Sequence, residues 1–217
     1  MHFAKVPPLI KPLAGDFLWS VRTQELEVFL TFDDGPIPEV TPYVLDILEQ
    51  YNAKATFFCV GKNAAQYPEL LQRIANAGHT LGNHTFDHEN GWKTPHFHYL
   101  KSVLKTHAFV NSRLFRPPYG RISRHQALAL KSRYTLVMWD VLSGDYNPKR
   151  TAQQCLQSVV QNTRPGSIVV FHDSLKAAER VLEVLPKYLH FLREAGYTCV
   201  ALPTHTPIDS IDSFFAS

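Results

Sequence analysis

The sequence predicts an α/β fold with a parallel sheet. Short apolar runs alternate with amphipathic stretches along the chain, and the runs are continuous rather than alternating in polarity. The polar residues that interrupt them collect at their C-terminal ends. Strands covered by helices on both faces are written as continuous apolar runs. A strand–helix alternation sustained over the chain leaves two layouts, an open doubly wound sheet or a closed barrel. The 217 residues suffice for one domain with a sizeable core. The expected division is an N-terminal arm at 1–26, a core at about 27–202 and a C-terminal tail at 203–217, without repeats or Gly/Ser-rich linkers.

Seven strands are expected, in order LEVFLTF (26–32), ATFFCVG (55–61), HTLGN (79–83), RLFRPP (113–118), TLVMWDV (135–141), SIVVFHD (167–173) and TCVAL (198–202). The intervening stretches have helical periodicity. Residues 40–51 set Val44, Leu45, Ile47, Leu48 and Tyr51 on one stripe. Residues 64–77 do so with Leu70, Leu71, Ile74 and Ala75, ending at Gly78, a residue suited to a helix C-terminus. Further helices are expected at 97–112, 123–133, 151–163 and 175–195, with Thr151 and Ser174 as N-caps of the last two.

Composition narrows the function classes. Twenty-two Lys and Arg against nineteen Asp and Glu give a net charge of +3. No basic run accompanies it, which argues against a dedicated nucleic-acid binder. Cys59, Cys155 and Cys199 are scattered, giving neither a disulfide framework nor a thiolate zinc site. Pro7, Pro8 and Pro12 interrupt the apolar N-terminus, so it lacks the core of a signal peptide. No stretch approaches the ~20 apolar residues of a membrane span. The default expectation is a soluble cytoplasmic protein. The unusual count is eleven histidines, the commonest metal ligand and general acid/base.

The strand ends hold the chemistry. Asp33 and Asp34 follow the first run, His84 and His88 the third, and Arg116 and Tyr119 the fourth. Asp140 and Asp145 follow the fifth, and His172 and Asp173 close the sixth. In parallel α/β folds the βα loops open on one face, where active sites are built. Two adjacent carboxylates in TFDDGP are costly near a core unless a cation or hydrogen bonds compensate. A solvated Asp-Gly turn is the plain alternative, and an aspartyl phosphatase would want its second acid where Gly35 stands. In HTFDH, His84 and His88 at i and i+4 share a face of a helical turn. One metal could sit ~2.0–2.1 Å from each nitrogen. Joined to an Asp they make the His-His-carboxylate set of catalytic metal sites, with Asp87 solvated; two structural histidines are the alternative. Arg116, set by two prolines, can clamp a carboxylate or be an ordinary loop Arg. Trp139 offers a pocket wall, Asp145 a partner for a histidine, and His172 a polar group at a buried strand end.

In this order the blocks resemble the polysaccharide deacetylase family (the NodB-homology domain, carbohydrate esterase family 4). The blocks are TFDDGP, HTFDH, RPPYG, the Asp145–Tyr146 pair and the Val170–His172 run, and the resemblance spans about Glu27 to Leu202. It implies a distorted (β/α)7 barrel and a metal-dependent hydrolase that removes N-acetyl groups from amino-sugar units. By position, Asp33 matches the catalytic base, and Asp34, His84 and His88 the metal ligands. Arg116 matches the residue orienting the base, Tyr119 the oxyanion N–H, Asp145 the acid tuning the histidine, and His172 the general acid. Tyr146 and Val170 stand where the family has Trp and Leu around the acetyl methyl, which puts substrate fit in question more than chemistry. Zinc is the implied metal, with cobalt or nickel also suited to such ligands. The implied partner is an acetylated oligo- or polysaccharide. Rivals are hydrolysis of another non-peptide C–N bond or an O-acetyl ester, and a non-catalytic carbohydrate-binding domain.

The other histidines get plain roles. His79 is expected to satisfy core backbone groups, and His96, His98 and His107 to lie on a helix surface. His2, His125, His190 and His205 show no partner pattern. Cys59 reads as a small buried hydrophobe.

Overall fold

A computed structural model describes residues 17–204. His2, His205, residues 1–16 of the arm and 205–217 of the tail lie outside them.

The sheet forms as the apolar runs predict. β2 (Glu27–Asp33) is its centre, pairing in parallel with β3 (Ala55–Cys59) on one side and β8 (Ile168–His172) on the other. From β3 the sheet continues through β4 (Thr80–Asn83) and β5 (Leu114–Phe115) to β6 (Thr135–Val137). Two elements differ from expectation. The run 135–141 is not one strand: β6 pairs with β5, the chain bends at 138–140, and β7 (Val141–Leu142) pairs with β8. The two halves of this bent run thus pair with opposite ends of the strand series, which curls the sheet into a distorted barrel. Within the arm, β1 (Phe17–Leu18) adds to β6, and a short β9 (Thr198–Cys199) pairs with the start of β2.

The helices follow the periodicity with some breaks. α1 (Thr41–Gln50) buries Val44, Leu45 and Leu48. The stretch 64–77 is two helices, α2 (Gly61–Gln66) and α3 (Pro68–Asn76), because Pro68 starts a new helix rather than continuing the old one. Leu70 and Ile74 are buried there but Ala75 is exposed. Gly78, at φ 76°, stands just past the end of α3. α4 (His96–His107) and α5 (Arg124–Leu130) end short of their expected limits, and α6 (Ala152–Asn162) has Thr151 as N-cap in a reciprocal capping box with Gln154. α7 (Ala178–Glu194) starts later than expected: its N-cap is Ala177, and Ser174 caps nothing.

Strand alternation sorts the side chains into two layers. Outward-facing Val28, Leu30, Phe32, Phe57, Val169 and Phe171 pack under α1, α6 and α7 in the main core. Inward-facing Phe29, Phe58, Leu114, Val137 and Ile168, with Leu18 and Leu202, fill the barrel interior. Burying each such side chain favours folding by about 1.5–3 kcal/mol. Above this plug the inward positions turn polar, and those residues build the site.

Candidate active site

Asp33 ends β2 facing inward and nearly buried, and Arg116 meets it fully buried. One terminal nitrogen of Arg116 donates to Asp33 Oδ1 and to Thr31 Oγ1, each at 2.7 Å. The other donates to the Met138 carbonyl at 2.8 Å, and Nε to the Val137 carbonyl at 3.4 Å. The guanidinium stacks 4.2 Å from the Phe58 ring centre. Gly82 makes room for that ring, since a Cβ there would fall 2.4 Å from it. Burial pushes the Arg116 pKa down and Asp33 holds it up, leaving a buried cation whose removal would strand a buried carboxylate.

The chain then turns so that the next carboxylate points elsewhere. Asp34 has φ 85°, in the left-handed region. Asp173 fixes the turn: its Oδ1 accepts the Gly35 N–H at 3.0 Å and its Oδ2 the Thr41 hydroxyl at 2.6 Å. A Cβ on Gly35 would lie 2.0 Å from that carboxylate. Burial raises the Asp173 pKa to about 7 against these two hydrogen bonds. Asn63 adds a hydrogen bond to the Asp34 carbonyl at 2.8 Å.

Asp34 faces His84 and His88. His88 Nε2 lies 3.1 Å and His84 Nε2 3.7 Å from Asp34 Oδ1. The pair does not sit on a helical turn as the i, i+4 spacing predicts. It lies in a loop, with Thr85 at φ 61° and His88 at φ 57° folding the two rings to 5.1 Å apart. Asn83 steadies that loop by accepting the Thr85 N–H at 3.0 Å. Nδ1 of His84 bonds to the Arg116 carbonyl at 2.8 Å, which leaves Nε2 as a lone-pair donor. Burial lowers the His84 pKa to about 4, so the ring is neutral at pH 7. Burial pushes the Asp34 carboxyl up, but the hydrogen bond from His88 and the nearby His172 and His84 hold it well below the usual carboxylate range. One ligand atom from each of Asp34, His84 and His88 falls within 4.8 Å of the others. Two nitrogen lone pairs and an ionised carboxylate are the donor set of a catalytic zinc, cobalt or nickel site.

The fourth component stands beside Asp33. His172 ends β8 in direct register with Asp33 on β2. Its Nδ1 lies 2.8 Å from Asp145 Oδ1, and its backbone N–H donates to Asp145 Oδ2 at 2.8 Å. Arg180 Nε donates to the Asp145 carbonyl. Burial pushes the His172 pKa down, but Asp145, then Asp34 and Asp33, overcome it and bring the value to about 9. At the rim, the Tyr146 ring is 5.0 Å from His172 and the exposed Tyr119 ring 4.6 Å from His88. Tyr119 itself has φ 62°. Val170 is buried two residues before His172 on the same strand face, and half-buried Trp139 covers Gly120.

The structure thus brings together Asp33, Asp34, His84, His88, Arg116, Asp145 and His172, with Tyr119 and Tyr146 at the margin. Asp140 is elsewhere: it accepts the Ile168 N–H at 2.8 Å and the Ser167 hydroxyl, pinning the opposite end of β8. His79 accepts the Ala55 N–H at 3.2 Å, a core role as expected, and Cys59 is buried. Asp87, His98, His107, His125 and His190 are exposed, and His96 is half-buried. Sequence reasoning missed Thr31, Asn63, the turn-holding role of Asp173, and Arg180. Thr31, two residues before Asp33 on the same strand face, was open to that inference; Asp173 was marked by position but not by role, and Asn63 and Arg180 lie on helices the motifs do not mark.

The comparisons agree with this geometry. The pattern of the family described as polysaccharide deacetylase matches residues 20–137. A peptidoglycan-N-acetylglucosamine deacetylase of Bacillus cereus is 37% identical over 196 residues, covering 87% of this chain and 71% of its own. A chitooligosaccharide deacetylase of Azorhizobium caulinodans is 34% identical, covering 75% and 80%. A crystal structure of the Bc1960 peptidoglycan N-acetylglucosamine deacetylase superposes with a TM-score of 0.83 at 34% identity, covering 91% and 96%. The chain belongs to the polysaccharide deacetylase family, hydrolases of carbon–nitrogen bonds other than peptide bonds.

Proposed function

We propose that this chain is a metal-dependent hydrolase that removes N-acetyl groups from amino-sugar units of a polysaccharide or oligosaccharide, releasing acetate. The register pairing of Asp33 with His172 carries this reading. Each side chain is anchored by its own buried partner, and the Asp34–His84–His88 cluster lies beside them. The relatives' names support the substrate class, since both describe deacetylases of amino-sugar material.

Amide hydrolysis needs a base for the attacking water and an acid for the departing nitrogen. Asp33, aimed by Arg116, takes the proton of the water. His172, kept protonated by Asp145, delivers a proton to the leaving amine. Asp34, His84 and His88 would hold a divalent cation, zinc first, and that ion would supply the Lewis acidity that amide hydrolysis draws on. The backbone N–H of Tyr119 meets the acyl oxygen as its charge develops. Tyr146, Val170 and Trp139 bound the space for the acetyl methyl. The test is acetate release from N-acetylglucosamine oligomers by zinc-loaded protein. Release that is lost in Asp33→Asn and in His172→Ala supports the reading; release unchanged in both variants refutes the assigned roles.

A further inference from the structure

We propose that the cleft beside Trp92 is a subsite for a second sugar ring of the substrate chain, stacked on the indole. The inference rests on the deacetylase reading above. The loop after His88 and the loop after Tyr119 run side by side on the face where the β strands end. Hydrogen bonds stitch them: Gly91 N–H to the Arg121 carbonyl at 3.2 Å, Trp92 Nε1 to the Ile122 carbonyl at 3.1 Å, and Gln126 Nε2 to the Gly91 carbonyl at 3.0 Å. Between them and the starts of α4 and α5 lies a cleft of about 370 Å³, lined by Trp92, Thr94, His96, Ser123 and His125 among others. That volume falls in the ordinary range of small-molecule sites.

Trp92 is 66% exposed, yet its ring is fixed by the Ile122 hydrogen bond and by the Arg121 guanidinium 5.1 Å from its centre. A large apolar ring held rigid in water is a preorganised contact surface, and little entropy remains to be lost on binding. The faces of sugar rings present C–H groups with partial positive charge, which suit the negative face of an indole. The polar edge of the sugar would meet Thr94, Ser123 and His125, which line the same cleft. Gly91 and Arg121, bonded to each other, follow His88 and Tyr119 closely along their two loops, which sets the cleft near the metal cluster. A chain with one unit over the cluster would lay a neighbouring unit on Trp92.

The test compares zinc-loaded wild type, Trp92→Ala and Trp92→Phe on single N-acetylglucosamine and on its tetramer. Tetramer binding to the same three forms in an Asp33→Asn background is measured by calorimetry. Trp92→Ala is expected to lower kcat/KM and affinity for the tetramer about tenfold while moving the rate on the single sugar less than about threefold. Trp92→Phe is expected to restore most of the tetramer value, and zinc content to stay at the wild-type level. Equal losses on the single sugar and the tetramer, or loss of zinc, would make Trp92 a brace for the His88 loop and overturn the proposal. Unchanged tetramer affinity would overturn it too. Absence of acetate release by wild type defeats the deacetylase reading instead, and the calorimetric arm still decides whether Trp92 binds a sugar chain.

Discussion

His172 and Asp145 meet through both carboxylate oxygens: Oδ1 stands 2.8 Å from the imidazole Nδ1, and Oδ2 accepts the histidine's own backbone N–H at 2.8 Å. The ring is fixed in orientation and kept charged through Nδ1.

Asp145→Asn should therefore remove both charge and alignment. The His172 pKa of about 9 lies above its ordinary 6.5, so folding favours the protonated ring. The stabilising contribution is full below pH 6.5 and is lost as pH rises through about 9. In the variant the ring should lose its proton at lower pH. The alkaline limb of the rate profile should move down, and kcat should fall by about 10²–10⁴. A pH–rate profile with an NMR titration of His172 checks this. An unmoved alkaline limb would assign that limb to another group.

Arg116→Met should cost about 3–5 kcal/mol of stability, because Asp33 stays buried with its charge unpaired. Arg116→Lys should recover only part of it, since an ammonium cannot reach Thr31, Asp33 and Met138 together. Urea denaturation midpoints decide. A loss under 1 kcal/mol in Arg116→Met would show that solvent already reaches Asp33.

Zinc at a hundred times its Kd should stabilise the folded chain by about 2.7 kcal/mol, roughly 5–10 °C in Tm for a protein of this size. The shift should vanish in His84→Ala and with a chelator. A shift of equal size in His84→Ala would place the metal elsewhere.

Gly35→Ala should leave secondary structure intact and abolish most acetate release. The new methyl would collide with the Asp173 carboxylate that holds the turn between Asp33 and Asp34. Circular dichroism and the acetate assay together check it; full activity would mean that Asp173 moves aside freely.

What the sequence made legible was the strand-then-polar-turn pattern. Asp33, Asp34, Arg116, Asp145 and His172 all stand at strand ends, and the motif order carried the rest of the site. The loop conformation of His84 and His88 was not legible, because an i, i+4 pair suits a helical turn and only φ above zero at Thr85 and His88, both non-glycine, breaks it. The bend at 138–140 was hidden for a similar reason. Met138 and Trp139 are apolar like the strands around them, and the pairing partners that change there lie far away in sequence. The break between α2 and α3 had a visible signal in Pro68. The two-residue strand at Phe17–Leu18 had none, because its pairing partner β6 lies far away in sequence.

The most direct test of the account is mass spectrometry of the products from zinc-loaded protein and a panel of N-acetylated and O-acetylated oligosaccharides. The account predicts loss of acetyl groups from N-acetylated amino sugars, with free acetate formed and no reaction by Asp33→Asn. No deacetylated product from any member of the panel, with Asp33→Asn indistinguishable from wild type, would contradict it.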